Sequence, residues 1–149
     1  MNAGQPTANA QFSRLLSRFP PEIVALVKRC LPKLRRAFPG SYQLIYNYAS
    51  SLVVAFSNSQ RGYDAIVSVA IYPRWVRLYV DKSLPDPNGL LEGSGSKVRY
   101  VILKSASELD SGDIHALIQA AIKHSGVSFP RTRANQTVIK SKSVKRQRK

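Results

Sequence analysis

The run from Gly89 to Arg99, Gly-Leu-Leu-Glu-Gly-Ser-Gly-Ser-Lys-Val-Arg, is the segment of this chain best suited by composition to hold an anion. Backbone N–H groups around Gly93 and Gly95, with the charges of Lys97 and Arg99 beside them, are the parts of a phosphate-cradling loop. The spacing is not that of a Walker loop, in which Lys follows the last Gly directly and a helix comes next. The favoured reading is a plain connection whose glycines serve positive φ, with small-anion binding the alternative. His115 and His124 are nine positions apart, so a helix turns them to opposite sides and they read as solvated side chains. Asp110 and Asp113 fall where a helix begins, which makes them capping and dipole-complementing residues. No serine motif is paired with a base in a nucleophile arrangement. Neither a catalytic residue, a metal site nor a cofactor is expected, and the sequence reads as a binding protein rather than an enzyme. The lone Cys30 sits on an apolar helical stripe, fitting a buried thiol in a reduced compartment.

Charge is the stronger signal. Residues 131–149 hold Arg131, Arg133, Lys140, Lys142, Lys145, Arg146, Arg148 and Lys149 with no acid, and the whole chain has 23 Lys and Arg against 8 Asp and Glu. A run so charged and so poor in apolar residues reads as a disordered polycationic arm over 129–149. A second basic surface is expected on a helix carrying Lys28, Arg29, Lys33, Arg35 and Arg36. Both attract a polyanion, with nucleic acid the first partner to consider. Trp75, Arg77, Tyr79 and Arg99 would combine flat aromatic surface with guanidinium groups on one sheet face, a combination suited to base stacking or to a protein partner.

These residues must be positioned by ordinary elements. Phe12, Leu15, Leu16 and Phe19 predict a short helix, following a flexible leader over 1–10. Ile23, Leu26, Val27, Cys30, Leu31, Leu34 and Phe38 trace the apolar stripe of a second, longer helix that begins at Pro21 and ends at Pro39-Gly40. Pro32 projects away from that stripe, so it is expected to bend the helix rather than end it. Strands are expected over 52–56, 65–72, 75–80 and 98–103, with another near 44–48, joined by short turns into an antiparallel meander. Val76, Leu78 and Val80 should enter the core, and Arg99 should share the outer face with Trp75, Arg77 and Tyr79 if Val98, Tyr100 and Ile102 point inward. A last helix should bury Ile114, Leu117, Ile118, Ala121 and Ile122 and stop at Gly126. The order of elements predicts one α+β domain over 11–128, a two-layer sandwich with the helices packed on one face of an antiparallel sheet. No apolar stretch is long enough to span a bilayer and no secretory leader is present, so a cytoplasmic protein without membrane contact is expected.

The segment Leu84-Pro-Asp-Pro-Asn-Gly-Leu-Leu-Glu-Gly-Ser-Gly-Ser-Lys-Val-Arg99, followed by Tyr100-Val-Ile-Leu and by Glu108-Leu-Asp110, resembles the YdhG-like domain family, small bacterial proteins largely of unknown function. Phe19-Pro-Pro-Glu-Ile-Val, opening the helix that closes at Phe38-Pro39-Gly40, is similar to the start of the same family. The resemblance spans about 12–124 and implies a frataxin-like α/β sandwich. It also implies, for some relatives, iron handling or support of iron–sulfur cluster assembly. Iron prefers carboxylate oxygens, and the long helix here has Glu22 as its single acid. The leading expectation is therefore a binding module for nucleic acid or another polyanion; iron handling and small-anion binding at the glycine loop are the alternatives.

Overall fold

The computed structural model describes residues 7–129 and 133–141. Three helices, α1 (Ala8–Leu16), α2 (Pro21–Ala37) and α3 (Gly112–Ser125), accompany six strands: β1 (Tyr42–Asn47), β2 (Leu52–Ser57), β3 (Ala65–Ile71), β4 (Val76–Asp81), β5 (Val98–Leu103) and β6 (Gln136–Ser141). Short 3₁₀ turns cover Gly62–Asp64 and Ala106–Leu109. The strands form one sheet in the order β5-β4-β3-β2-β1-β6. β1 to β5 are the expected antiparallel meander, but β6 runs parallel to β1, so the sheet is mixed.

α1 begins at Ala8, where the Thr7 hydroxyl accepts from the Ala10 N–H at 3.0 Å, two residues inside the segment read as a leader. Phe12 and Leu16 are its buried residues. α2 runs through Pro32, which is exposed while Ile23, Val27, Cys30, Leu31 and Leu34 are buried. α3 ends at Gly126 in the left-handed region, φ 69°. One buried cluster joins side chains of all three helices to alternate residues of the sheet: Ile45, then Leu52, Val54 and Phe56, then Val67, Val69 and Ile71, then Val76, Leu78 and Val80, then Val101 and Leu103. Period-two alternation thus assigns one side of the sheet to the core.

β6 corrects the expectation of a structureless arm from 129 onward. Thr137, Val138 and Ile139 are consecutive β-branched residues, well suited to a pleated edge, and Ile139 packs against the core. The approach to β6 is fastened to the α2–β1 turn: Arg133 Nε donates to the Gly40 carbonyl at 2.8 Å, Asn135 Nδ2 to the Phe38 carbonyl at 3.0 Å, and the Gln136 N–H to the Ser41 carbonyl at 3.1 Å. These bonds and one partly buried isoleucine outweigh the low overall hydrophobicity of the segment. Residues 142–149, and Arg131 with them, lie outside the described residues. Among the described residues no helix is long and apolar enough to cross a membrane.

Candidate recognition face

Register places Arg77 and Tyr79 on the side of the sheet away from the core cluster. Two rows cross that side. One runs Val138, Leu44, Ala55, Ser68, Tyr79, Tyr100; the other contains Tyr46, Val53, Ala70, Arg77 and Ile102. The middle strands contribute small residues, and tyrosines stand to either side of them. Leu44, Ala55 and Ala70 are buried even so. The turn preceding β3 is drawn close to this side, since a Cβ at Gly62 would overlap the Tyr46 hydroxyl. Burial holds the Tyr46 phenol above its usual pKa, with Tyr48, stacked at 6.4 Å, adding to the shift.

Arg77 is the centre of the aromatic cluster. Its guanidinium carbon lies 4.1 Å from the Tyr100 ring centroid, 5.2 Å from that of Tyr72 and 5.4 Å from that of Trp75. One of its terminal nitrogens donates to the Tyr79 hydroxyl at 3.2 Å. That hydrogen bond is the main reason its pKa is raised, and the ring faces give the cation a further attractive surface. Tyr79 and Tyr100 meet at 5.3 Å in a tilted pair. Arg77 Nε is buried without a hydrogen-bond acceptor among the described residues. Burial, then Tyr79, raises the Tyr72 pKa, so the Tyr72 phenol stays neutral at physiological pH. Trp75, 39 % exposed, is the most open ring of the group. At the opposite edge Arg133 stacks on Tyr42 at 4.8 Å.

Arg99 does not join this face. Val101 and Leu103 are buried in the core and Arg99 pairs in register with Val80, which reverses the expected inward set of β5. Its guanidinium donates to the carbonyls of Gly95 and Val98. Tyr100 and Ile102 take the place expected for it. Every position of β5 except Arg99 is apolar or aromatic, so alternation alone leaves its register open, and the pairing with β4 decides it.

The glycine loop folds back on its own strand. Glu92 and Tyr100 exchange backbone hydrogen bonds at 2.7 and 3.0 Å, and Gly93, at φ 102°, lies where a Cβ would meet the Tyr100 ring at 3.1 Å. Asp86 organises the turn before it, accepting from the Leu90 and Leu91 N–H groups at 2.8 and 2.9 Å. Lys97 is exposed, and its carbonyl accepts from the Lys82 N–H. Glycine here answers backbone needs, and the Arg99 donors turned to Gly95 and Val98 are not shared with Lys97.

Of the α2 cations, Lys28, Arg29 and Arg36 are exposed, whereas Lys33 pairs with Asp110 at 2.7 Å. Asp110 is thus an ion-pair partner that closes the preceding 3₁₀ turn and not the N-cap of α3, a place taken by Ser111. Asp113 in the first turn accepts from Asn88 Nδ2 at 3.1 Å. Arg35 is half-buried, and burial lowers its pKa. Lys140 is exposed on β6. Lys142, Lys145, Arg146, Arg148 and Lys149 fall with Arg131 outside the described residues. His115 Nδ1 lies 2.9 Å from the Leu109 carbonyl, and His124 Nε2 is 3.4 Å from the Ser83 hydroxyl and 4.0 Å from Asp81. Among the described residues no three His, Cys, Asp or Glu side chains gather as metal ligands. Cys30 is buried, and burial, reinforced by Glu108, pushes its thiol to about 11, against the smaller opposing effect of Lys33.

Sequence reasoning found Trp75, Arg77 and Tyr79 through the alternation of β4. It missed Tyr72 and Tyr100, and the signal available was the chain's seven tyrosines, of which Tyr42, Tyr46, Tyr48, Tyr72, Tyr79 and Tyr100 fall on strands or directly after one. Comparison of the chain with protein-family models, with curated proteins and with solved structures finds no match.

Proposed function

We propose that this chain is a non-enzymatic binding module for nucleic acid, with single strands as the preferred form. The observation that carries the reading is Arg77 held among Tyr72, Trp75 and Tyr100 on the sheet side away from the core. Flat rings there offer stacking surface to bases of any sequence, while a guanidinium supplies cation–π contact and attraction to phosphate. Exposed Lys28, Arg29, Arg36 and Lys140, with the basic residues beyond 141, add charge that draws a polyanion without reading its sequence. The resemblance to YdhG-like domains supports a frataxin-like two-layer arrangement with the helices on one face, which leaves the aromatic cluster on the other. Iron handling draws little support from α2, whose single acid is Glu22.

The test is fluorescence anisotropy of labelled single-stranded and duplex oligonucleotides at low and moderate salt, with the full chain and with Trp75→Ala and Arg77→Gln. Single strands should bind more tightly than duplex, and both substitutions should weaken them. Equal affinity for the two forms, or single-strand binding that ignores both substitutions, would overturn the reading.

A further inference from the structure

Gln43 is buried on a strand position whose neighbours in the same register, Ile45 and Phe56, are core residues. An amide there costs desolvation unless both of its ends are bonded. Its Nε2 donates to the Ser41 hydroxyl at 2.8 Å and to the Ser41 carbonyl at 3.3 Å, and its Oε1 accepts from Arg35 Nε at 3.4 Å. The Ser41 hydroxyl in turn accepts from Asn135 Nδ2 at 3.1 Å. A polar relay, buried at Ser41 and Gln43, thus runs from the residue before β6 through the start of β1 to one arginine of α2. It holds Arg35 by Nε and leaves the terminal nitrogens of the guanidinium without a partner among the described residues.

Arg35 opens into a cleft of about 410 Å³ lined by parts of α1, α2, β1 and the β6 segment. Lys28, two turns earlier on α2, also lines it, and among the described residues no Asp or Glu does. Seven residues separate the two cations by about 10 Å along the axis, a span two long side chains can close around one ion. The polar rim is biased toward donors. The Thr137 hydroxyl donates to Asn9 Oδ1 at 2.6 Å, which occupies that amide's acceptor and leaves its NH₂ free. Phe12, Leu16 and Leu31 supply an apolar floor. Pro32, also in the lining, has no N–H for the Lys28 carbonyl, so an acceptor for a ligand hydroxyl stands beside the cationic pair.

We infer that this cleft is a phosphoryl-binding pocket, taking phosphate either free or carried by a small hydroxylated molecule. Arg35 engages the phosphoryl oxygens through its terminal nitrogens, Lys28 neutralises the second charge, and an organic body lies over Phe12 and Leu31. Its lining shares no residue with the aromatic cluster around Arg77, so the inference does not rest on that cluster; Lys28 alone is common to this pocket and to the cations proposed to draw nucleic acid.

The experiment is a titration of the full chain, followed by calorimetry and by backbone amide shifts, with ribose 5-phosphate, inorganic phosphate and ribose. Ribose 5-phosphate should saturate and move the amides of Asn9, Ser13 and Thr137, ribose should not bind, and Arg35→Gln and Lys28→Gln should each weaken binding tenfold or more. Lys28 is exposed, so Lys28→Gln remains informative if Arg35→Gln fails to fold. Tighter binding of ribose 5-phosphate than of inorganic phosphate gives the floor to an organic body, and equal binding gives the pocket to phosphate alone; either upholds the phosphoryl assignment. Shifts scattered over the other basic residues, or an affinity unchanged in Lys28→Gln, would overturn it. Trp75→Ala should leave this titration as it is.

Discussion

The two sides of the sheet use the same backbone for opposite purposes. On the core side β4 presents Val76, Leu78 and Val80, all buried, and β3 presents Val67, Val69 and Ile71. On the other side the same two strands present Arg77, Tyr79, Ser68 and Ala70, and the rings of Tyr72, Trp75 and Tyr100 close around one cation. Aliphatic side chains gain their free energy simply by leaving water. Tyrosine and arginine combine apolar area with polar tips and stay half-open, which is compatible with the nucleic-acid contact proposed for this side. Stability and, on the proposed reading, recognition are thereby divided between alternate residues of single strands.

That division can be broken most forcefully at Leu78. Leu78→Ala should cost roughly 2 to 5 kcal/mol of stability in urea unfolding while leaving oligonucleotide affinity of the folded protein unaltered. A coupled loss of affinity would show that the two sides are not separable. Next in size is β6. Ending the chain after residue 132 should cost roughly 1 to 3 kcal/mol, because the Ile139 contact and the tethers of Arg133 and Asn135 go with it. Ending it after Ser141 should instead leave the melting temperature nearly unchanged. It should lower the log–log salt slope for single strands by about 3.5 if all five basic residues removed contact phosphate. A large melting shift in the longer form would place structural work beyond 141.

On the open side, Trp75→Ala should weaken single-strand binding by more than about 1 kcal/mol and destabilise the fold less than Leu78→Ala does. If it unfolds the domain as severely, Trp75 belongs to the stabilising half. The smallest effect is expected at the exposed pair of Lys33 and Asp110, where Asp110→Asn should change stability by about 0 to 1 kcal/mol and less still at high salt.

Elements with clean periodicity were legible in the chain. The stripe of α2 and the alternation of β4 each have one solution, and both appear in the fold. β5 was misread because its residues are hydrophobic on both sides, so only pairing with β4 sets its register. β6 was hidden by composition: Thr137, Val138 and Ile139 carry a strand signal, but the surrounding charge argued for no structure, and the tethers to Phe38 and Gly40 come from residues more than ninety positions away. The Arg77 cluster was half visible for a similar reason. Trp75 and Tyr79 are its sequence neighbours, whereas Tyr100 arrives through a different strand.

The parallel pairing of β6 with β1 also has a consequence for the order of events during synthesis. β1 leaves the ribosome roughly 90 residues before its outer partner, which at typical rates of about 5 to 20 residues per second leaves an unpaired strand edge for roughly 5 to 20 seconds. During that interval the edge accepts any extended segment of compatible shape, including β6 from a second copy of the chain. An exchanged pair made in that way would preserve every contact described for the single molecule, which makes strand-swapped dimers the natural by-product of crowded or hurried folding.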